Sequence, residues 1–274
     1  MSQGTNSVMA TDHLAWLAGG SHIRLVRSGA GLWRASAGVG GLDLACVAGT
    51  EDSKPMVITT DTSDLPASVP AALREPLQRK LGVVHRLANP WLWDALTAAI
   101  LRRVVRPPQA RFLYRRWCLK HGTTLDSVYG NPAVVPGPER VLELTDAEFV
   151  TAGAKLHRKA LQAAATAYLA DAEVWASLEA NKLVTALTSI HGVGPWSASA
   201  AAADFTGDYS VYPHADVAVR SWAHIIAPHE PWPDSDKKFE ERWLRLAGPG
   251  SGAVHTLTLT TLTWGSHALL PTKK

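Results

Sequence analysis

The stretch IHGVGPWSASAAA, residues 190–202, decides how the rest of the chain is interpreted. Apolar residues recur at helical spacing before it, and Pro195 opens an alanine-rich, helix-forming run after it. A dinucleotide-binding loop would need a preceding strand and a third glycine, but Ser197 stands at the third position. The pattern therefore predicts a helix, a glycine hairpin and a second helix over residues 183–204.

The two hairpin glycines predict a loop that approaches another surface closely. Gly192 and Gly194 lack a Cβ, so each accepts a positive φ and leaves the backbone bare. The amides that follow lie at a helix N-terminus, where they accept a phosphate without reading any base. A plain turn between two packed helices is the alternative that the hairpin alone leaves open.

The composition describes an ordinary folded chain. Its 274 residues suffice for one large domain or two small ones, with 46% hydrophobic and 19% charged residues. The net charge of +3 permits a nucleic-acid partner without requiring one. Two cysteines, Cys46 and Cys118, exclude a disulfide framework, a zinc knuckle and a cluster held by four cysteines. We expect no signal peptide and no membrane-spanning segment, hence a cytoplasmic, nucleoid-associated protein.

The first 80 residues differ from the rest in their pattern. HIRLVRSG, LWRASAGVGGLDLACVAG and PMVITT are short β-leaning pieces that predict a small antiparallel sheet, followed by the connector DTSDLPASVPAALREP. The spacing then turns helical, with Asn89-Pro90 predicted as a helix cap. We therefore divide the chain into an N-terminal β-rich domain with its connector, 1–80, and a helical core, 81–274.

A second segment, DFTGDYSVYPHADVAVRSWAHII, places Asp216 about 20 residues after the hairpin, behind Pro213. The hairpin followed by Pro-x-x-Asp-x-x-Val-Arg resembles the helix-hairpin-helix (HhH-GPD) DNA glycosylase superfamily, and within it the 3-methyladenine DNA glycosylase II branch. GAKLHRKAL, residues 153–161, also resembles a helix start of that family. The resemblance covers roughly residues 85–225. It implies an α+β, mainly α fold, with a two-lobed helical core around a DNA cleft and a small N-terminal antiparallel β-rich segment.

In that family an aspartate at the position of Asp216 is catalytic. The resemblance implies a carboxylate that stabilises the oxocarbenium-like sugar as the base departs and orients the attacking water. Asp216 also precedes VAVRSWAHII, so helix capping is the alternative role, and the two roles are compatible.

Trp196 stands where strand-cutting family members carry a lysine that forms a Schiff base. The resemblance therefore implies a monofunctional glycosylase, which hydrolyses the N-glycosidic bond of a flipped-out damaged base and leaves an abasic site. Trp196 becomes a candidate wall of the base pocket, where an indole would favour a cationic alkylated purine by cation–π attraction. Core packing of Trp196 is the alternative.

The predicted base pocket departs from the branch in two places. Ala200 stands where the family has an aromatic residue four positions after the pocket tryptophan, and Tyr212 is the further pocket candidate. The C-terminal GPGSGAVHTLTLTTLTW lacks the aromatic-rich pattern of the branch. Both departures predict a roomier pocket, so a different or bulkier modified base is an alternative substrate.

The family fills the gap left by the flipped base with a side chain, and the matching segment here is ILRRVVRPPQA. Val104 falls at the wedge position, with Arg102 and Arg103 where the family usually has Gly-Gln or Gln-Gln. The two arginines predict contacts with phosphates or with the orphaned base, and a solvated helix end is the alternative. The predicted contacts to the DNA backbone are His191, Gly192, Val193 and Gly194.

No cofactor and no metal cluster is predicted, because the histidines show no ligand spacing. Hairpins of this family can hold Na+ or K+ through backbone carbonyls, so a structural monovalent ion at the hairpin is left open. The expected partner is double-stranded DNA that contains a modified base, bound by a monomer. A non-catalytic DNA-binding module that keeps the hairpin is the rival hypothesis from another class.

Overall fold

The computed structural model describes residues 6–19, 21–38, 41–126 and 130–268, and their side chains up to residue 265. The chain divides into two compact units. The first unit comprises Met1–Asp12, Val57–Leu87 and Asp208–Lys274, and the second comprises His13–Met56 and Ala88–Gly207. Both units draw on the N-terminal segment 1–80, so this division does not follow a boundary at residue 80.

The described strands form three small sheets, one in the first unit and two in the second. In the first unit β1 (Ser7–Ala10) pairs in parallel with β6 (Val83–Leu87), which pairs antiparallel with β5 (Val57–Asp61). The strands of the second unit are β2 (His22–Ser28), β3 (Gly31–Gly38), β4 (Gly41–Ala48), β7 (Thr123–Thr124) and β8 (Ala133–Val134). The predicted antiparallel sheet is confirmed for β2, β3 and β4. PMVITT contributes instead to the sheet of the first unit, because β5 pairs with a strand beyond the predicted connector.

The rest of the described chain is largely helical, which confirms the α+β, mainly α fold. Its helices are α1 Ala71–Leu81, α2 Leu92–Arg102, α3 Pro107–His121, α4 Pro138–Glu143, α5 Asp146–Ala152, α6 Arg158–Ala176, α7 Ala180–Thr188, α8 Pro195–Thr206, α9 Val217–Ile226, α10 Asp236–Ala247 and α11 Ser251–Ala268. Among these helices, none combines the length and the apolar character that a bilayer crossing requires.

Helix α1 corrects part of the predicted connector. Leu73, Leu77 and Leu81 recur every four residues and are fully buried, so they form one apolar stripe of a helix. The Pro, Ser and Asp content of the segment suggested a connector, but the stripe of buried leucines determines the structure.

The second unit contains a pair of antiparallel helices, α2 and α8. Every residue of α2 from Leu92 to Leu101 is buried, and the buried alanines of α8 allow the two backbones to approach closely. The Asn89 amide, before α2, donates to the Asp204 carbonyl at the end of α8 (3.0 Å). Arg102 at the end of α2 lies over Trp196 at the start of α8. Helix α2 thus begins where α8 ends, and ends where α8 begins.

Where α2 begins and α8 ends, buried polar side chains form a network that we call the buried end of the pair. Its members are His13, Arg24, Asn89, Asp94, Tyr114 and Asp204. Arg24 Nη2 lies 3.2 Å from Asp94 Oδ2, and the Tyr114 hydroxyl donates to Asp94 Oδ1. Burial, and then the Asp94 carboxylate, raise the pKa of Tyr114 well above its usual value, so its hydroxyl remains a donor.

Asn89 belongs to this network rather than to a helix cap. The predicted Asn89-Pro90 cap is wrong, because α2 begins at Leu92 with Trp91 as its N-cap. Asn89 Nδ2 instead donates to Asp204 Oδ2 at 2.8 Å and to Asp94 Oδ2 at 3.2 Å. Two buried carboxylates need donors, and this need outweighs the capping preference of asparagine.

Candidate functional site

The hairpin lies in the second unit, between α7 and α8, as predicted. The Val193 amide closes the turn by donating to the Ile190 carbonyl at 3.0 Å. Gly192 has a φ of 82°, and a Cβ there would lie 3.0 Å from the Cβ of Ala160, so both backbone and packing require glycine. Gly194 is extended, with φ −86° and ψ 174°, so the positive φ is confirmed for Gly192 and not for Gly194.

The backbone at Gly194 is open on the side where a side chain would stand. A Cβ at Gly194 would meet no atom within 4 Å, so packing inside the protein does not explain this glycine. Gly194 is the N-cap of α8 and Pro195 is its first residue. The amides of a first helical turn have no partner within their own helix, and the positive end of the helix dipole adds to them. This arrangement suits an anion placed against bare backbone.

The turn between α2 and α3 carries the predicted wedge residue, Val104. Its φ of 59° is the one positive φ of a non-glycine residue in the described chain, and its side chain is 82% exposed. A β-branched residue in the left-handed region is strained, and burial of this side chain does not offset the strain. Strain of this kind concentrates at functional sites, so the backbone at Val104 supports the predicted role without testing it.

Arg102 and Arg103, which precede Val104, both contact the hairpin segment. Arg103 Nη1 donates to the Gly192 carbonyl oxygen at 2.6 Å, a charge-assisted hydrogen bond. The guanidinium carbon of Arg102 lies over the Trp196 ring, 5.4 Å from its centroid. The alternative that these arginines are only solvated residues at a helix end therefore does not hold for either of them. The structure brings together Arg102, Arg103, Val104, Gly192 and Trp196, and we call this set the exposed end of the α2–α8 pair.

The predicted base-pocket residues fall in different units. Trp196 and Ala200 lie one turn apart on α8, the first half-buried and the second 5% exposed. The methyl group of Ala200 is almost fully covered by surrounding protein atoms, so the roomier pocket stays a prediction. Tyr212 belongs to the first unit, where its ring stacks on Tyr209 with 5.5 Å between centroids and 17° between planes.

A cleft of about 490 Å³ adjoins the hairpin, and we call it the basic cleft. Its lining includes two predicted contact residues, His191 and Gly192, together with Arg103 of the exposed end and the ion pair of Arg158 with Asp146. Sequence analysis missed Lys155, Leu156 and Lys159, which also line it. Neither lysine has an ion-pair partner within the described chain, and Leu156 is 79% exposed. All three fall in the 153–161 stretch, where the two lysines are the sequence signal that could have predicted a basic surface.

His157 adds little positive charge to this region at neutral pH, because its pKa is lowered. It follows Leu156 in the chain and is 2% exposed. Burial first, and the Arg103 guanidinium second, lower the pKa of His157. The positive charge of the basic cleft therefore comes from its lysines and arginines.

Asp216 lies in the first unit as the N-cap of α9, which confirms the capping role. Its Oδ1 accepts the Ala218 amide at 2.6 Å, and its own amide donates to the Pro213 carbonyl at 3.0 Å. The residue is half-buried, beside Val217, which is 76% exposed. These contacts fix the carboxylate at a helix N-terminus, where a negative charge is stabilised.

Neighbouring helices of the first unit hold the segment around Asp216. His214 is buried, and its Nδ1 lies 3.5 Å from Oε1 of Glu240 on α10. Burial lowers the pKa of His214, and Glu240 acts in the opposite direction. Helix α9 seats Trp222 against Gly265 of α11, where any Cβ would collide with the indole. The loop and the helix that Asp216 joins are thus both anchored.

Metal binding has little support from side chains. Within the described residues, no group of three or more His, Cys, Asp or Glu side chains could hold a metal ion. The monovalent ion considered at the hairpin would bind carbonyls, and the Gly192 carbonyl is already bound by Arg103. Such an ion would therefore rely on the other hairpin carbonyls, and it stays a prediction.

No protein-family model matches the chain, and a search of curated proteins found no match. Among solved structures, the 3-methyladenine DNA glycosylase of Archaeoglobus fulgidus shares 13% identity over 93% of this chain and 90% of its own, with a TM-score of 0.70. The 8-oxoguanine glycosylase/lyase of Clostridium acetobutylicum, in complex with double-stranded DNA, shares 15% identity over 94% and 89%, with a TM-score of 0.67.

A third similar structure is the 3-methyladenine DNA glycosylase of Schizosaccharomyces pombe in complex with abasic DNA. It shares 17% identity over 67% of this chain and 84% of its own, with a TM-score of 0.50. The chain thus has the fold of helix-hairpin-helix DNA glycosylases, which confirms the fold predicted from the hairpin and the Asp216 segment.

Proposed function

We propose that this protein is a DNA N-glycosylase that acts as a monomer on double-stranded DNA containing a modified base. The observation that carries the proposal is the exposed end, where a strained, solvent-facing Val104 adjoins a hairpin with open backbone at Gly194. An apolar wedge beside a phosphate contact suits a protein that holds a duplex with one nucleotide out of the stack. The similar structures that contain double-stranded or abasic DNA support the same partner.

In the proposed mechanism the hairpin amides hold a phosphate and Val104 fills the space of the extruded nucleotide. The C1′–N bond then breaks, and its electron pair leaves with the base. The carboxylate of Asp216 stabilises the positive charge that develops on the sugar and orients a water molecule. The water oxygen bonds to C1′ and loses one proton, and an abasic site remains. An uncharged base leaves as an anion and takes up that proton, whereas a cationic base leaves neutral and the proton passes to solvent.

The absence of an amine at position 196 supports a monofunctional enzyme. Strand cleavage through a Schiff base needs a lysine there, and Trp196 carries none. A cationic alkylated purine is the candidate that the residue type at position 196 favours by itself, because indole rings attract cations. An uncharged base, including a bulkier one, is the other candidate, favoured by the contact of Arg102 with Trp196.

The decisive experiment is base release from duplexes that each carry one modified base, by the wild type and by Asp216→Asn. Asparagine can also cap α9, so the variant should fold normally. We expect release by the wild type, a loss of about 100-fold or more in Asp216→Asn, and full activity in the control Asp64→Asn, which alters an exposed carboxylate of the same unit. Borohydride should trap no covalent adduct.

Two results would contradict this proposal. Equal release by the wild type and Asp216→Asn would remove the carboxylate from the mechanism. DNA binding without release of any base from the panel would favour a non-catalytic binding module.

A further inference from the structure

The indole of Trp196 already has a cation of the protein over one face. The guanidinium carbon of Arg102 lies 5.4 Å from the ring centroid. This contact follows from the antiparallel packing of α2 and α8, because the last residue of α2 meets the first turn of α8. It is therefore a built feature of the second unit and not a chance approach of a surface side chain.

Further positive charge surrounds this contact. Arg103 binds the Gly192 carbonyl, four residues before Trp196. The chain from residue 95 to residue 125, which includes most of α2, all of α3 and the wedge turn between them, contains no aspartate or glutamate. A positively charged ligand placed near Trp196 therefore meets like charges on both α2 and the turn.

A charged base and an uncharged base differ in how they respond to this arrangement. A cationic N-alkylpurine gains from an indole through attraction to its π face, and Arg102 already uses that attraction. An uncharged base gains mainly from stacking and loss of water contact, which the guanidinium does not oppose. A planar guanidinium can itself stack on a neutral ring.

We propose that Arg102 is a specificity-determining residue that directs the base pocket toward uncharged modified bases and away from cationic ones. This inference rests on the proposed function, since it assigns the substrate class of the same site.

The test measures binding rather than chemistry, so that it does not depend on turnover. All proteins carry Asp216→Asn, and each duplex holds one base: cationic 7-methylguanine on a 2′-fluoro sugar that resists hydrolysis, or uncharged 1,N6-ethenoadenine. Without any change at Arg102 we expect tighter binding of the uncharged base. Arg102→Gln should raise the affinity for the cationic base relative to the uncharged one by roughly tenfold.

Two matched variants separate this effect from a general loss of charge or structure. Arg102→Lys keeps the positive charge and should keep most of the preference. Arg106→Gln removes an exposed arginine from the same turn, and should weaken both complexes alike.

Three results would overturn the inference. The protein with Arg102 intact could bind the cationic duplex more tightly, Arg102→Gln could leave the affinity ratio unchanged, or neither duplex could bind. The proposed function would be rejected by a different result from the one that rejects this inference. A shifted ratio without base release by the wild type would leave the pocket assignment standing and reject the glycosylase. Base release by the wild type, with an affinity ratio that Arg102→Gln does not change, would support the glycosylase and reject the role of Arg102.

Discussion

The two ends of the α2–α8 pair carry charge in opposite ways. At the buried end, Arg24 and Asp94 are almost fully enclosed and lie 3.2 Å apart. At the exposed end, Arg102 lies over an aromatic ring and Arg103 binds a backbone carbonyl, beside a valine that is 82% exposed and strained. The same two helices thus end in an ion-paired core on one side and in a basic, strained surface on the other.

This difference suggests that one end of the helix pair stabilises the fold and the other end binds the ligand. Strained backbone persists only where the surrounding structure over-determines it. The buried end supplies that constraint, because its contacts fix the start of α2 against the end of α8. At the exposed end the contacts of Arg102 with Trp196 and of Arg103 with the Gly192 carbonyl add to that constraint. If the two ends have these separate roles, substitutions at the buried end should change mainly stability, and substitutions at the exposed end should change mainly function.

The largest effect is expected at the buried end, from Asp94→Asn. The change leaves the Arg24 guanidinium buried without its carboxylate partner and places an amide donor among other donors. We expect a loss of about 3–5 kcal/mol in the free energy of unfolding, measured by denaturant titration. The same substitution at Asp146, an exposed carboxylate that pairs with Arg158, should cost no more than about 1 kcal/mol. Equal losses in the two variants would show that the buried network is not the constraint.

A smaller effect of opposite sign is expected from Val104→Gly. Glycine adopts a φ of 59° without strain, and the exposed valine side chain has little packing to lose. The relief of strain exceeds the added entropy of the unfolded glycine, so we expect a gain of about 0.5–1 kcal/mol in stability. Base release should slow in the same variant, because the wedge side chain is gone.

Val174→Gly provides the control for that variant. Val174 is 61% exposed but lies inside α6, where glycine is less favourable than valine, so this change should destabilise the protein by roughly 0.3–0.5 kcal/mol. Destabilisation by Val104→Gly as well would mean that the turn is not strained in solution.

The smallest effect on stability is expected in the basic cleft, from Lys155→Gln combined with Lys159→Gln. Stability should change by less than about 0.5 kcal/mol, because surface substitutions away from structural features are usually neutral. If both lysines contact phosphates, the slope of log affinity for DNA against log salt concentration should fall by about 2. Lys237→Gln with Lys238→Gln, on exposed positions of α10, should leave the slope unchanged. If the slope is unaltered in the cleft variant, the basic cleft does not contact DNA phosphates.

Local signals in the sequence predicted the parts of the fold and site that local interactions determine. The hairpin, the helices around it and the capping position of Asp216 follow from short-range spacing and side-chain chemistry. The parallel pairing of β1 with β6 does not, because more than 70 residues separate the partners. Asn89 was misjudged as a cap for the same reason, since the carboxylate of Asp204 that binds it lies 115 residues away.

The exposed end shows a different limit of sequence analysis. Valine disfavours a positive φ, so no propensity predicts the conformation at Val104. The contact of Arg102 with Trp196 depends on the antiparallel packing of α2 on α8, and an arginine before a proline-rich turn gives no sign of it. Lys155 and Lys159 were visible in a quoted motif, but their lack of acidic partners becomes apparent only in three dimensions.

The discontinuous make-up of the first unit also has a consequence for how the protein is made. The first unit needs residues up to Asp12 and residues from Asp208 onward, whereas the second unit needs nothing beyond Gly207. During synthesis, about 200 residues separate the first strand from the segment that completes its unit. At about 5–20 residues per second, the ribosome takes on the order of tens of seconds to supply them. Strand β1 is thus among the first elements to be made and among the last to reach its finished surroundings.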